Sequence, residues 1–327
     1  MSDIDRYLHA ATRDNTRRSY RASVHHYEVV WGGFLPATAD SIVRYLADHA
    51  KSLSANTLQL RLSAIAQWHV DQGFPDPTKA PLVRKVLKGI RELHPAQEKR
   101  ARPLQVEELT ALTGWLDNAC EQANAAGDRK SALAHARNRA LLLLGFWRGF
   151  RSDELCRLRA EFIKAAPGQG MRIFLPRSKG DRQNAGKEFK VPALSRLCPV
   201  AAYGEWVGLA GITEGPVFRG INRWGHLAEK ALTANNLSAL LRRIFVEAGL
   251  EQQANITSHS LRRGFANWAN ANGWEAKALM EYVGWKDIHS AMRYIEAPDP
   301  FSRERIERGL TSYPGPAALE RVDDQEI

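Results

Sequence analysis

The sequence predicts a mainly α-helical protein in two parts: a helical N-terminal domain, then a mixed, mostly α domain with a small antiparallel sheet. Three observations carry this. Apolar residues recur at helical spacing behind Ser, Thr or Asp starts through most of the chain. A single pair of strand-like runs interrupts them, and one stretch without apolar periodicity, "HPAQEKRARPLQ" (94–105), separates the two parts.

Residues 1–95 read as a run of helices. Asn15 or Thr16 opens one carrying Tyr20, Val24, Tyr27 and Val30; "TADSIVRYLADHA" and "SANTLQLRLSAIAQWHVDQG" are two more, and "DPTKAPLVRKVLKGIREL" is shorter. Residues 96–105 are taken as a linker and 106–327 as the second domain. Between Lys79 and Arg102 stand eight Lys and Arg against two Glu, which suits a strap along a nucleic-acid backbone. Lys85, Lys88, Arg100 and Arg102 are its candidate DNA contacts, joined by Arg177 and Arg263 further on.

In the second part "ALLLLGFW" (140–147) is too short to cross a bilayer and reads as a buried helix. "MRIFLP" (171–176) and "KEFKVP" (187–192) are strands around a polar turn. Helix resumes through "CPVAAYGEWVGLAG", "TANNLSALLRRIFVEAGL", "SHSLRRGFANWA" and "WEAKALMEYVGW", and "FSRERIERGL" adds one last short helix before an acidic end.

The chain of 327 residues carries 46 Lys and Arg against 36 Asp and Glu, a formal charge of +10, which favours a polyanionic partner, nucleic acid before membrane. Its 44% hydrophobic and 25% charged residues are those of a globular protein. The N-terminus lacks an apolar signal core, and Cys120, Cys156 and Cys198 form no CxxC pair. A cytoplasmic location, nucleoid-associated in a prokaryote, is expected, with no membrane association and neither a disulfide framework nor a metal site.

Two stretches concentrate chemistry. In "SHSLRRGFANWA" (258–269), Leu261, Phe265, Trp268 and Ala269 form an apolar stripe, while His259 and Arg262 neighbour each other off it near the helix start. A helix N-terminus already carries positive partial charge, so crowding cations there suits a bound anion such as phosphate. In "RGFRSDELCRLR" (148–159), Arg151 precedes a helix start that Ser152 can cap, and Glu154 lies three residues on, where it can orient Arg151. Arginine suits phosphate because its planar fork gives two parallel hydrogen bonds and keeps its charge.

Taken in order, Arg151, Lys179, His259, Arg262, Trp285 and Tyr294 resemble the active-site set of the tyrosine recombinases, the phage integrase family. The matching pieces are "RGFRSDELCRLR", "SKG", "HSLRRGFA" and "VGWKDIHSAMRYIEA", and the helical first part is similar to the family's core-binding domain. Trp285 stands where a histidine is commoner, as in the Cre-like branch; its indole N–H donates a hydrogen bond but shuttles no proton.

The resemblance implies that Tyr294 attacks the scissile phosphate, leaving a 3′-phosphotyrosine and a free 5′-hydroxyl, with strand exchange through a Holliday junction. A covalent link keeps the bond energy for rejoining. Arg151 and Arg262 then neutralise the non-bridging oxygens, Trp285 donates to the same phosphate, and His259 is one candidate base for Tyr294. Lys179, at the tip of the strand turn, is the candidate donor to the departing 5′-oxygen, with Lys187 and Lys190 as competitors in the second strand. No cofactor or metal is implied, since arginines supply the charge.

The implied partners are double-stranded DNA recombination sites and a homotetramer exchanging C-terminal helices, with accessory DNA-bending or directionality proteins. The outcome is integration, excision or resolution of a mobile element. Two rival functions share part of the pattern: a type IB topoisomerase-like relaxing enzyme, and a non-catalytic DNA-binding regulator.

Overall fold

A computed structural model of the chain describes residues 3, 6, 7, 11–95, 101–176, 185–250 and 256–295. The chain divides into two compact units, Met1–Lys99 and Arg100–Ile327. Arg100, Arg177, Lys179 and the helix expected from "FSRERIERGL" lie outside the described residues.

The first unit holds α1 (Asp14–His25), α2 (Ala39–His49), α3 (Ala55–Asp71) and α4 (Pro81–Leu93). Thr38 and Ser54 cap α2 and α3 by accepting from the backbone N–H of Ser41 (3.1 Å) and Thr57 (3.2 Å), so the Ser/Thr starts mark real helix ends. Tyr27, Ile42, Tyr45, Leu46, Leu58, Ile65, Val83 and Leu87 meet in one core. Val30, expected on the α1 stripe, is exposed instead. After His25 the chain passes into a π-helical turn, His26–Val30, where Trp31 N–H bonds the His26 carbonyl five residues back (2.9 Å). The wider turn shifts the phase of the stripe and turns Val30 outward.

The second unit is built on two antiparallel helices, α5 (Val106–Ala125) and α6 (Arg129–Arg148). Asp128 caps α6 at its start through Ser131 N–H (3.1 Å), and Gly149 ends it in the left-handed conformation (φ 59°). The run Ala140–Phe146 on α6 is fully buried, as its unbroken apolar sequence requires. It is followed by α7 (Ser152–Cys156), then β1 (Ile163–Ala166), β2 (Gly170–Leu175) and β3 (Lys187–Pro192), an antiparallel sheet in that order with Leu175 opposite Lys187. Met171, Ile173 and Leu175 alternate inward with Phe189 and Val191, which is the period-2 pattern read from the sequence.

Strand β1 and a second antiparallel pair, β4 (Arg219–Ile221) with β5 (Leu227–Ala231), escaped that reading. Each is at most five residues long and only partly buried, so none carries an apolar alternation. The remaining helices are α8 (Pro199–Ala210), α9 (Ala234–Glu247), α10 (Ser258–Ala271), α11 (Ala276–Val283) and α12 (Ile288–Met292).

Two glycines let α10 approach its neighbours closely. A Cβ on Gly145 of α6 would lie 2.7 Å from Leu261 Cδ1 of α10. One on Gly264 would lie 2.0 Å from the Leu104 carbonyl oxygen and 2.8 Å from Phe146. Leu104 itself is buried in this unit and donates its N–H to the Ser260 carbonyl (3.0 Å). Residues 101–105, read as linker for want of periodicity, are thus an extended strap pinned along α10.

Because the obstacle at Gly264 is backbone, it cannot swing aside. Gly264→Ala should destabilise the protein by about 2–3 kcal/mol, the upper range for overpacking, read as a lower denaturant midpoint at unchanged slope.

Candidate functional site

The site forms where the end of α6, the start of α7, the first turn of α10 and the segment after α11 converge. Glu154, in the first turn of α7 and only 4% exposed, organises the first two. Its Oε2 accepts from the Arg151 backbone N–H (2.8 Å) and its Oε1 from Arg151 Nη1 (2.9 Å), so one carboxylate caps the helix and aims the guanidinium. Ser152, expected to be that cap, instead shares a hydrogen bond with Ser258 (2.7 Å), tying the start of α7 to the start of α10. Thr257 caps α10, and its Oγ1 accepts from His259 N–H (3.2 Å).

Arg262 is completely buried, and its Nη1 donates to the Gly149 carbonyl at the left-handed end of α6 (2.5 Å) and lies 3.8 Å from Glu154 Oε2. Burial, then the neighbouring Arg151 charge, push the guanidinium down to about 10, against the pull of Glu154 and Tyr294. Its Nε and Nη2 have no hydrogen-bond partner among the described residues, and neither does the indole Nε1 of Trp285. Three buried donors without an acceptor in one place require an explanation.

Gly284 (φ 82°) ends α11 and turns the chain so that Trp285 packs inward. The rings of Trp285 and Tyr294 stack at 5.4 Å and 29°. The Arg262 guanidinium lies 4.9 Å from the Trp285 ring centre and 5.2 Å from that of Tyr294, so cation and aromatics form one packed group. Tyr294 Oη is 3.3 Å from His259 Nδ1, and His259 is exposed. The structure therefore brings together Arg151, Glu154, His259, Arg262, Trp285 and Tyr294, separated in sequence by up to 143 positions.

Other residues join them that sequence reasoning missed or ranked lower. Arg148, the first residue of the "RGFRSDELCRLR" stretch and given no role of its own by the sequence, is buried, with its guanidinium 4.0 Å from the Tyr282 ring centre and 4.8 Å from that of Phe189. Burial pushes it down to about 10. Lys187, opposite Leu175 in the strand pair next to the β2–β3 turn, lies inward: its Nζ is 2.9 Å from where a Gly284 Cβ would stand. Burial first, then Arg148, Lys286 and Arg262, hold its ammonium below the usual lysine range, with Glu154 opposing. Lys190, two positions beyond Glu188 on β3, is exposed opposite Arg172. No sequence signal separated Lys187 from Lys190 except the parity of the strand.

The expected DNA contacts divide. Lys85 and Lys88 are exposed on α4, away from its buried stripe of Val83, Leu87 and Ile90. Arg102 is held by Glu108 through two hydrogen bonds (3.0 and 2.7 Å). Arg263 is a correction: it is 6% exposed, and its Nη1 donates to the Arg293 carbonyl (3.0 Å), because its place on α10 faces the α12 end rather than solvent. Among the described residues no group of three His, Cys, Asp or Glu side chains could hold a metal ion, and no helix is long and apolar enough to cross a membrane.

Known proteins resemble this chain in sequence and in fold. The chain is 30% identical over 319 residues to the integrase/recombinase xerD homolog of Selenomonas ruminantium, covering 93% of this chain and 87% of that one. It is 28% identical over 269 residues to tyrosine recombinase XerD of Rhizobium meliloti, covering 80% and 77%. Its fold is similar to that of the Tn1549 transposon integrase solved in complex with circular intermediate DNA, with a TM-score of 0.59, 15% identity and coverage of 92% and 95%. Residues 115–299, more than half the chain and all of the described site from Arg148 to Tyr294, match the phage integrase family, and the chain belongs to that family, the tyrosine recombinases.

Proposed function

We propose that this protein is a site-specific DNA recombinase that cuts and rejoins strands through a covalent bond between Tyr294 and a 3′-phosphate. The observation that carries the reading is the set of buried donors, Arg262 Nε and Nη2 and Trp285 Nε1, directed into the group that also holds Tyr294. A phosphodiester answers them: its non-bridging oxygens accept from Arg262, Trp285 and Arg151, and its negative charge offsets a cluster in which Glu154 is the carboxylate among Arg148, Arg151 and Arg262. Charge grows on those oxygens in the pentacoordinate transition state, where fixed guanidiniums stabilise it most.

Tyr294 Oη attacks phosphorus, the bond to the 5′-oxygen breaks, and the electron pair leaves on that oxygen. His259, 3.3 Å from Tyr294 Oη, takes the phenolic proton. The proton for the departing oxygen comes from a lysine of the β2–β3 hairpin, and the family motif assigns it to Lys179. A free 5′-hydroxyl then attacks the phosphotyrosine to rejoin, and exchange between two duplexes passes through a Holliday junction. The relatives' names, an integrase/recombinase and a tyrosine recombinase, support this reaction class.

The finer assembly follows the same reading. Two duplex sites are held by four copies exchanging their C-terminal helices, and the first unit clamps DNA with Lys85 and Lys88 among its contacts. Integration, excision and resolution of a mobile element all use this chemistry.

Native protein incubated with nicked duplexes of randomised core sequence should give a protein–DNA adduct on a denaturing gel, and Tyr294→Phe should abolish it. Failure of the native protein to form any adduct while still binding DNA would sink the recombinase reading. Arg262→Ala should slow adduct formation by about 10²–10³-fold, as expected for loss of a preorganised donor to a developing anion. Trp285→Phe keeps the stack and deletes only the N–H, so single-turnover cleavage should fall by about 10–100-fold, the value of one charge-assisted hydrogen bond.

A further inference from the structure

Tyr294 follows a very short helix that is held to its surroundings by the buried Ala291 and by contacts with neighbouring elements. Helix α12 spans only Ile288–Met292, too short to persist on its own propensity. Its start is secured locally, since Asp287 accepts from both the backbone N–H and the hydroxyl of Ser290 (2.8 Å each). Its end is closed by Tyr294 N–H on the Ala291 carbonyl (2.9 Å) and by Ile295 N–H on the same oxygen (3.3 Å). A helix cannot satisfy the carbonyls of its last turn internally, so they look to other groups.

One of them is answered from another helix. Arg263 of α10 reaches across and donates Nη1 to the carbonyl of Arg293, the residue immediately before Tyr294 (3.0 Å). The side chain that does this is almost wholly buried, and a buried guanidinium is costly unless its hydrogen bonds matter to the packing around it. Arg263 also follows Arg262 directly, in the same turn of α10 as His259. One rigid turn therefore carries the phosphate-facing cation, the base and a tether to the nucleophile's own backbone.

We propose that Arg263 is a positioning residue that holds Tyr294 in register with Arg262 and His259, and that it acts on the rate of strand cleavage rather than on DNA binding. This rests on the recombinase reading of the same site. The role is one of distance: reacting groups displaced by about 1 Å lose on the order of 10²-fold in rate, and the Arg293 carbonyl is one bond pair from the Tyr294 Cα.

The test uses the full chain, as native protein and as Arg263→Met and Arg263→Lys, with a nicked duplex selected from a randomised pool by adduct formation with the native protein. Cleavage is timed at saturating protein, affinity is measured by gel shift, and amide hydrogen exchange is followed in residues 288–295 and 258–271. Arg263→Met should cleave about 10–100-fold more slowly with affinity within about threefold of native, and Arg263→Lys should recover most of the rate. Exchange should rise in 288–295 and stay unchanged in 258–271.

The proposal is overturned by a native cleavage rate in Arg263→Met, by an affinity loss as large as the rate loss, or by unchanged exchange in 288–295. Faster exchange throughout α10 overturns it too, since that marks general loosening. Should the native protein select no duplex, the recombinase reading falls, while exchange in 288–295 still decides whether Arg263 tethers the segment.

Discussion

Everything in the second unit that bears on chemistry is arranged around one buried carboxylate. Glu154 accepts from the backbone and the guanidinium of Arg151 and lies 3.8 Å from Arg262. Without it, Arg148, Arg151 and Arg262 would repel one another in surroundings of low dielectric. With it, they are compatible but still carry excess positive charge. That imbalance defines the site: the acid is enough to let the arginines fold together and too little to neutralise them. In the proposed reaction the scissile phosphate completes the balance, and does so best when its own charge is greatest.

The geometry around Glu154 depends on close approach. α6 supplies Gly149 at its end and α10 supplies Arg262, and the hydrogen bond between them exists because Gly145 and Gly264 let α10 settle against α6 and the Leu104 strap. The stacked pair Trp285 and Tyr294 packs against Arg262, and Gly284 makes the turn at the end of α11 that brings Trp285 there. Packing, charge and nucleophile are thus one construction: the aromatic rings that exclude water from Arg262 include the ring proposed to react beside it.

Much of this was legible in the sequence, for identifiable reasons. Helices with hydroxyl or acidic starts announce themselves, as Thr38, Ser54 and Asp128 do, and the β2–β3 hairpin is readable because Ile173, Leu175, Phe189 and Val191 alternate inward. Arg151, His259, Arg262, Trp285 and Tyr294 stood out as an ordered set, and the structure gathers them. What escaped was whatever depends on contacts between distant segments. Arg148 received no role of its own and Arg263 was taken as a DNA contact, because a sequence shows charge and not direction. Ser152 was read as a cap because the competing partner, Ser258, is 106 positions away. The π-helical turn after His25 has no compositional sign, so Val30 kept its place in a periodicity that the backbone abandons.

The partners that anchor the site have an evolutionary consequence. Arg262 is held by the carbonyl of Gly149, Arg263 by the carbonyl of Arg293, and Glu154 by the amide of Arg151. These are main-chain atoms: no substitution removes the two carbonyls as long as the backbone keeps its path, and only proline at 151 would remove the amide. Side chains around them can change without deleting an anchor. The exposure to mutation is concentrated instead in the few positions that shape the path: the glycines at 145, 149, 264 and 284, whose loss would alter where the carbonyls stand. Residues elsewhere on the surface can therefore change while the carbonyls and the amide that anchor these side chains keep their places.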